Sequence, residues 1–299
     1  MIMTIDIGGT KTLCSCWKNG RVQNQEKFQT ASMGNLTAAV IRLAEEKHPR
    51  VLAFALAGPV TEGAFRLTNT GQELSFEALK AGLPHLESIL LLNDLEASAY
   101  SIPHLGDSGT AVFRSGKQAE GNSVILSLGT GLGAAAITRK GEVLASEGGH
   151  ADFAPQNPQQ KEILARLETR FEHVSCERLL SGQGLANIHE ALTGFKLMPR
   201  EITEQAGMGG KQALRTMQVF TDILGAVCGN FALTFLAKGG IYLGGGIIPK
   251  TLPLLDKDAF ETAFLGKGRL RGILQDIPVY VILDETAPSL GAAVCAGLF

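Results

Sequence analysis

Two short glycine-rich turns in this sequence could hold phosphate groups. The first is Gly8-Gly9-Thr10, which is followed by Lys11, and the second is Gly129-Thr130-Gly131. Each turn lies between two predicted strands, so its backbone N–H groups and a threonine hydroxyl could point at phosphate oxygens. An ordinary hairpin explains either turn equally well, but two matched turns favour phosphate binding. The Walker pattern and the dinucleotide pattern G-x-G-x-x-G are both absent from the sequence.

An acidic residue precedes the first turn. Asp6 lies in an otherwise apolar predicted strand, where an isolated carboxylate costs free energy unless it is paired or faces a metal ion. Mg²⁺ in proteins is typically held by one or two carboxylates together with water and substrate phosphates. Asp6 is therefore expected to lie near Mg²⁺ or, alternatively, to stabilise the turn. The matching position before the second turn is Ser127, so only one of the two units supplies an acid.

Three other polar sites could contact a substrate. Asn93-Asp94 follows a buried predicted strand, where ligands gather in α/β sheets, and the pair could supply either a general base or a helix N-cap. Glu147 and His150 are separated by two glycines, an arrangement that suits a ligand with many hydroxyls, although a single histidine is more often structural. Glu177 opens a predicted helix, where a carboxylate also interacts favourably with the helix dipole.

The elements that position these residues form two similar units. Strands are predicted over 2–7, 12–17 and 22–28 in the first unit and over 123–128, 132–138 and 142–145 in the second. Asn19-Gly20 predicts a tight hairpin, and Asn35 is a suitable N-cap for a helix over 36–46. The two strand–turn–strand units are about 121 residues apart, which suggests duplicated halves facing each other across a cleft.

The remaining elements alternate between buried strands and helices. The segment 103–122 has no periodicity and is rich in glycine, serine and charge, so it is the candidate domain boundary. A strand over 241–243 runs into Gly244-Gly245-Gly246, which is either a bend or a place where a planar ligand meets backbone. The other predicted strands cover 51–57, 89–92 and 278–283, and the other helices cover 95–102, 159–171, 176–180, 185–192, 212–237 and 287–298.

Composition excludes several classes of protein. The chain has 299 residues, and 27 basic against 29 acidic residues give a net charge of −2, which argues against nucleic acid or an anionic membrane as the main partner. The most apolar stretch, 219–236, contains Asp222, so a buried helix is favoured over a membrane span. Five cysteines without framework spacing indicate reduced thiols and hence the cytoplasm. The 36 glycines amount to about 12%, against a usual 7% or so.

Taken in order, these motifs resemble the bacterial glucokinases of the hexokinase type, and the resemblance covers nearly the whole chain. It implies the α/β fold of the sugar kinase/hsp70/actin (ribonuclease H-like) superfamily, with a cleft between a small domain of residues 1–104 plus 284–299 and a large domain of residues 105–283. The matching stretches are 6–10, 92–94, 128–133, 147–155, 180–185, 245–247 and 276–280.

The resemblance also implies an activity and a set of roles. The implied reaction transfers phosphate from ATP, with Mg²⁺, to the 6-hydroxyl of glucose at the start of glycolysis, in a cytoplasmic enzyme whose relatives are often dimers. Asp94 matches the general base of that family. The matching sugar-binding residues are Asn69, Asn93, Asp94, Glu147, His150 and Glu177. The matching nucleotide-binding residues are Asp6, near Mg²⁺ through water, and Gly8, Gly9, Thr10, Lys11, Gly129, Thr130, Gly131, Gly245 and Gly246.

Two alternatives stay open at this point. The related ROK kinases, which act on other hexoses or N-acetylhexosamines, share the D-x-G-G-T and E-x-G-H stretches but usually add a zinc-binding cysteine cluster. Here no cysteine lies between Cys16 and Cys176, which disfavours that family. A different sugar or a polyphosphate donor is compatible with the same motifs. A catalytically silent sugar-binding regulator is disfavoured because Asp6, Asp94 and both glycine turns are all present.

Overall fold

The computed structural model describes residues 1–58, 64–67, 71–117 and 119–299. The chain divides into two compact units, each with its own sheet and core. Unit 1 comprises Met1–Leu105 and Asp284–Phe299, and unit 2 comprises Gly106–Leu283. Within the described ranges, no helix is long and apolar enough to cross a membrane.

Unit 1 is built on a five-stranded sheet. Its strands and helices, in chain order, are β1 (Ile2–Ile7), β2 (Lys11–Lys18), β3 (Arg21–Gln29), α1 (Leu36–Lys47), β4 (Val51–Leu56), β5 (Ala64–Arg66), β6 (Glu73–Ser75), α2 (Phe76–Gly82), β7 (Ser88–Asn93), α3 (Asp94–Ser101) and, at the C-terminus, α11 (Ala287–Cys295). The sheet order is β3-β2-β1-β4-β7, and β5 pairs with β6 separately.

Local sequence explains the first elements of this unit. Asn19 and Gly20 both adopt positive φ, at 53° and 72°, as a two-residue turn that matches the twist of the flanking strands requires. The Asn35 side chain accepts a hydrogen bond from the Ala38 N–H and begins α1. The predicted hairpin and cap are therefore both confirmed.

Three parallel strands of unit 1 end at one edge of the sheet. In the register of β1, β4 and β7, Ile7 lies opposite Leu56, and Leu56 lies opposite Asn93. Residues near or just after these strand ends are thereby brought to a common edge. Helix α11 packs on α3 so closely that a Cβ at Gly291 would overlap the Ala97 carbonyl. The C-terminal helix therefore fixes α3 against the sheet.

Unit 2 is built on a six-stranded sheet with the order β11-β10-β9-β12-β13-β8. Its strands are β8 (Thr110–Arg114), β9 (Ser123–Leu128), β10 (Leu132–Ile137), β11 (Val143–Ser146), β12 (Gly240–Gly244) and β13 (Val279–Ile282). Its helices are α4 (Pro158–Glu168), α5 (Gly182–Thr193), α6 (Pro199–Gly207), α7 (Lys211–Thr234), α8 (Ile248–Thr251), α9 (Lys257–Leu265) and α10 (Arg271–Leu274).

The two sheets share one arrangement. In each, three antiparallel strands that are consecutive in the chain are followed across the sheet by a parallel strand: β3-β2-β1-β4 in unit 1 and β11-β10-β9-β12 in unit 2. The repeat predicted from the two glycine turns is thus present in the topology, and the predicted α/β class is confirmed.

Helix α7 forms the centre of the unit 2 core. A Cβ at Gly225 would overlap the Phe260 carbonyl of α9, and one at Gly229 would lie 2.6 Å from the Phe264 carbonyl oxygen. These glycines let α7 and α9 approach within one chain. The phenylalanine side chains at 260 and 264 are buried and stack on each other with ring centroids 5.7 Å apart.

The segment 103–122, which shows no periodicity in the sequence, contains a strand. Strand β8 lies inside this segment and pairs antiparallel with β13. Arg114 at its end is buried, donating to both carboxylate oxygens of Glu261 at 2.5 and 2.9 Å and to the Ile277 carbonyl. From the sequence alone a charged residue at a strand end is expected to be exposed. The strand could not be predicted because the partner that allows Arg114 to be buried, Glu261, is distant in the sequence.

Candidate functional site

Two carboxylates lie near the same sheet edge in unit 1. Asp6 is the penultimate residue of β1, and Asp94 is the first residue of α3, directly after β7. Burial, followed by the negative charge of Asp94, raises the pKa of Asp6 to about 7, while the Lys27 ammonium partly opposes this. Burial also raises the pKa of Asp94, and backbone hydrogen bonds at Leu95 and at Asp94 itself lower it. The two carboxyl groups therefore both bind a proton more readily than exposed aspartates, and they are candidates for proton transfer.

The first glycine turn follows Asp6. The Gly8 N–H donates to the Lys11 carbonyl at 3.0 Å, which closes the turn. Thr30 holds it from β3's end: its hydroxyl donates to the Gly8 carbonyl at 2.8 Å, and its N–H donates to the Thr10 carbonyl at 2.9 Å. Thr10 and Lys11 are exposed, so the turn presents a hydroxyl and an ammonium group on a braced backbone.

Asn93 is the N-cap of helix α3, which was the alternative to a substrate contact in the sequence analysis. Its side-chain oxygen accepts from the Leu95 N–H at 2.9 Å, and Glu96 accepts from the Asn93 N–H, so the two form a capping box. The Asn93 amide nitrogen lies 3.4 Å from the Gly58 carbonyl oxygen. The cap orients the first turn of α3, where Asp94 lies. Asn69, the remaining predicted sugar-side residue, lies outside the described residues.

In unit 2, the second glycine turn and Glu177 are in direct contact. The Glu177 carboxylate accepts from the Leu132 N–H at 2.9 Å, and a Cβ at Gly131 would overlap the same carboxylate oxygen. The Gly129 carbonyl in turn accepts from the Gly182 N–H at the start of α5, at 3.0 Å. Glu177 lies in a short 3₁₀ turn, Cys176–Arg178, so its carboxylate is committed to the glycine turn and not to a long helix dipole.

The predicted adenosine loop joins the same cluster. Gly245 has φ +84°, and a Cβ there would overlap the Leu128 backbone at the end of β9. The Ile247 N–H donates to the Leu128 carbonyl at 3.1 Å. Gly246 has open space where its Cβ would be. The structure therefore brings residues 129–131, Glu177 and 245–246 together.

Glu147 and His150 complete the unit 2 site. The His150 Nε2 atom lies 3.9 Å from a carboxylate oxygen of Glu147 and 3.9 Å from one of Glu177. The Glu147 side chain is 94% exposed and that of His150 is 56% exposed. The Glu147 carboxylate and the His150 imidazole are therefore accessible to the hydroxyls of a ligand.

The glycines between them have a packing role that the sequence did not reveal. A Cβ at Gly149 would overlap the Leu132 carbonyl, and one at Gly148 would lie 2.7 Å from the Phe231 ring. The two glycines therefore bring the loop close to β10 and α7. Keeping side chains away from a ligand, as the sequence suggested, is not needed to explain them.

Two supporting residues were missed from the sequence. Lys27 on β3 acts electrostatically on Asp6, and Thr30 braces the first turn. Neither belongs to a motif, since each reaches its partner across strand pairing. Lys27 of β3 lies opposite Leu13 of β2, and Leu13 lies opposite Asp6 of β1. Only the order of the strands therefore reveals that Lys27 lies near Asp6.

The donor set bears on a metal ion. Among the described residues, no three His, Cys, Asp or Glu side chains cluster in a way that would hold a metal by themselves. Asp6 and Asp94 offer two neighbouring carboxylates without such a cage. This set fits Mg²⁺, which takes its remaining ligands from water and phosphate, and it does not fit a structural zinc site.

Comparisons with known proteins agree on one family. A family model described as Glucokinase matches residues 3–298. A glucokinase of Trichormus variabilis is 35% identical, with 99% of this chain and 98% of that protein covered.

Two solved structures are also similar. A glucokinase from an Antarctic psychrotroph has a TM-score of 0.90 at 29% identity, covering 98% of both chains. A ROK family glucokinase of Streptomyces griseus, solved with glucose and AMPPNP, has a TM-score of 0.64 at 19% identity and 98% coverage of both chains, which shows a shared fold.

Proposed function

This chain belongs to the glucokinase family, and we propose that it transfers the γ-phosphoryl group of ATP to the 6-hydroxyl of glucose with Asp94 as general base. The observation that carries this proposal is the position of Asp94, at the sheet edge beside Asp6 and at the start of a capped helix. We take units 1 and 2 to be the small and large domains predicted from the sequence.

The proposed chemistry at Asp94 is proton transfer. A carboxylate positioned against a hydroxyl accepts its proton as the oxygen attacks phosphorus, and such a base contributes about 10²–10⁴-fold to the rate. The raised pKa of Asp94 makes the carboxylate a stronger base than an exposed aspartate. The Asn93–Glu96 capping box fixes the helix turn that carries it.

The proposed sugar ligands divide by chemistry. Glu147 and Glu177 accept hydrogen bonds from sugar hydroxyls, and His150, close to both carboxylates, accepts or donates one. Asn93 and Asn69 complete the proposed set. Hydroxyl recognition by charged acceptors is strong and directional, and it favours a polyol over an apolar substrate.

The proposed phosphate contacts are the two glycine turns. Gly8, Gly9, Thr10 and Lys11 form one turn and Gly129, Thr130 and Gly131 the other, and Gly245–Gly246 would contact the adenosine. Phosphoryl transfer requires mainly alignment and electrostatic stabilisation. The braced backbone of both turns provides that alignment without movement of the loops.

The proposed magnesium ligand is Asp6, through water. When bound, Mg²⁺ neutralises phosphate charge and orients the transferred group. Burial and the charge of Asp94 raise the pKa of Asp6, and the Lys27 ammonium opposes this only in part, so a bound cation would further stabilise the carboxylate form. The cytoplasmic location and the homodimer implied by the family stay predictions.

An ADP-release assay tests this function. The protein would be given ATP and Mg²⁺ with glucose, mannose, fructose or N-acetylglucosamine. In a parallel series polyphosphate would replace ATP, and the sugar phosphate formed would be measured because this donor releases no ADP. We expect the highest kcat/KM with glucose and ATP. Greater kcat/KM with another sugar would assign a different hexose kinase, and glucose binding without ADP release would assign a silent regulator.

A further inference from the structure

One pocket in unit 2 lies outside the residues proposed for catalysis. Its volume is about 460 Å³, within the range of small-molecule sites. One wall is the α7 face that carries Arg215, Gln218 and Asp222, and the others are the start of α4 at Asn157–Gln159 and Ala259 of α9. We call it the α7 pocket.

Asp222 marks one end of the α7 pocket. It lies in the middle of a largely buried helix, and burial raises the pKa of its carboxyl group. One carboxylate oxygen, Oδ2, accepts from the Asn157 amide at 3.0 Å and from the Gln160 amide at 2.9 Å. Gln160 is itself buried, so these donors hold the carboxylate in place. The other oxygen, Oδ1, has no hydrogen bond among the described residues.

Arg215 marks the other end. Its guanidinium donates to the side-chain oxygens of Gln159 at 2.6 Å and Gln218 at 2.7 Å. Both acceptors are neutral, and Arg215 forms no ion pair within the described part of the chain. Asp256, which also faces this region, accepts hydrogen bonds from the Ala259 and Asp258 N–H groups and from Gln218. The pocket therefore holds a positioned guanidinium whose charge is not neutralised by direct contact.

The presence of two opposite charges in one pocket indicates the class of ligand. Arg215 and Asp222 are seven residues apart on α7, which corresponds to about 10 Å of helix. The guanidinium bends toward Gln218, one turn from Asp222. Burial raises the pKa of Asp222 and the Arg215 charge acts against this effect, so the two groups act on each other within one pocket. An α-amino acid likewise carries an ammonium and a carboxylate group, roughly 3 Å apart, and each could form a charge-assisted hydrogen bond with the side chain of opposite charge.

We propose that the α7 pocket binds a small zwitterion of the amino-acid class, with its ammonium group on Asp222 and its carboxylate on Arg215. A ligand with only one charge leaves the other end of the pocket without a partner. Pro158, Val219 and Ala259 line the space between the charged ends and admit a small aliphatic side chain. The site is independent of the proposed sugar and nucleotide residues.

Calorimetric titration and thermal unfolding of the intact chain test the proposal. The probes are glycine, alanine, glutamate and lysine, with acetate, methylammonium and inorganic phosphate as ligands of single charge sign. We expect at least one amino acid to bind with a Kd below about 10 mM and, at about 100 times its Kd, to raise Tm by several degrees. Acetate and methylammonium should bind at least about tenfold more weakly.

Three variants locate the site. Arg215→Gln and Asp222→Asn should each weaken amino-acid binding at least about tenfold, whereas Arg200→Gln, on an exposed arginine that pairs with Glu204 on α6, should leave it unchanged. Arg215 is exposed, so its variant tests the site even where Asp222→Asn lowers stability. The absence of amino-acid binding, or binding that neither variant weakens, would overturn the proposal. Binding of phosphate or acetate that depends on Arg215 alone would replace it with an anion site.

Discussion

Gly129 and Gly245 are both proposed to serve the nucleotide, yet the structure predicts opposite outcomes when each is replaced by alanine. A Cβ at Gly129 would meet no atom within 4 Å, and the residue is not among those with positive φ. Gly245 has φ +84°, and its Cβ would overlap the Leu128 backbone. Glycine is thus required by the fold at Gly245 but not at Gly129.

The magnitudes follow from these surroundings. Gly245→Ala places an L-residue in the left-handed region, at about 1–2 kcal/mol, and adds an overlap that costs about 1–3 kcal/mol, so the free energy of unfolding should fall by about 2–5 kcal/mol. Gly129→Ala should change it by less than about 0.5 kcal/mol. If a phosphate occupies the open space at Gly129, the added methyl weakens one charge-assisted contact of about 1.5–3 kcal/mol, which lowers kcat/KM for ATP roughly 10–100-fold.

Urea unfolding and ADP-release kinetics measure both quantities. Gly207→Ala is a suitable control, because its Cβ also meets open space at the end of α6, far along the chain from either turn. It should match the wild type in stability and in kcat/KM. If Gly129→Ala unfolds as readily as Gly245→Ala, or if it keeps the wild-type kcat/KM for ATP, the assignment of Gly129 to the phosphate loop is wrong.

Three further predictions concern the carboxylates and the helix cap. The pKa of Asp6 is raised from an ordinary 3.8 to about 7, so between these pH values the folded chain binds a proton that the unfolded chain releases. The stability of the ligand-free protein should therefore fall as the pH rises from about 4 to 7. Asp6→Asn should remove this fall, which is on the order of 2–4 kcal/mol, in urea unfolding at pH 5 and 7.5. Glu177→Ala should cost about 1 kcal/mol of stability because it removes the acceptor of the Leu132 N–H, whereas Glu147→Ala should leave stability unchanged. Both variants should raise the KM for glucose. Equal losses of stability would contradict a stabilising hydrogen bond between Glu177 and the Leu132 N–H. Asn93→Ser keeps an N-cap oxygen, so Tm should stay within a few degrees of the wild type while glucose binding, measured by calorimetry, becomes weaker. Unchanged glucose binding would mean that Asn93 only caps the helix and does not bind the sugar.

Much of the fold could be predicted because its signals are local. The Asn19-Gly20 turn, the Asn35 cap and the alternation of apolar runs with glycine turns each depend on a few neighbouring residues. Strand β8 could not be predicted, since its buried Arg114 is neutralised by Glu261, which is 147 residues away. Helices α6 and α9 were also missed, although α9 begins at an Asp256 N-cap that accepts two backbone hydrogen bonds.

The candidate site could be predicted only in part, for a related reason. The motifs identified which residues carry charge and which turns are free of side chains, but not their partners. Glu177 looked like a residue that stabilises a helix dipole, and its partner is the Leu132 N–H beside Gly131. Lys27 and Thr30 belong to no motif, and they reach Asp6 and the first turn through strand pairing. The sequence identifies candidate reacting groups, and the topology identifies the residues that support them.

Asp94→Asn separates proton transfer by Asp94 from glucose binding and folding. The substitution keeps the shape of the side chain and removes its ability to accept a proton. Turnover of glucose and ATP would be measured by ADP release, glucose affinity by calorimetry, and folding by Tm. We expect a kcat lower by about 10²–10⁴-fold, with glucose Kd and Tm close to those of the wild type. A kcat within tenfold of the wild type would contradict the role of Asp94 as general base.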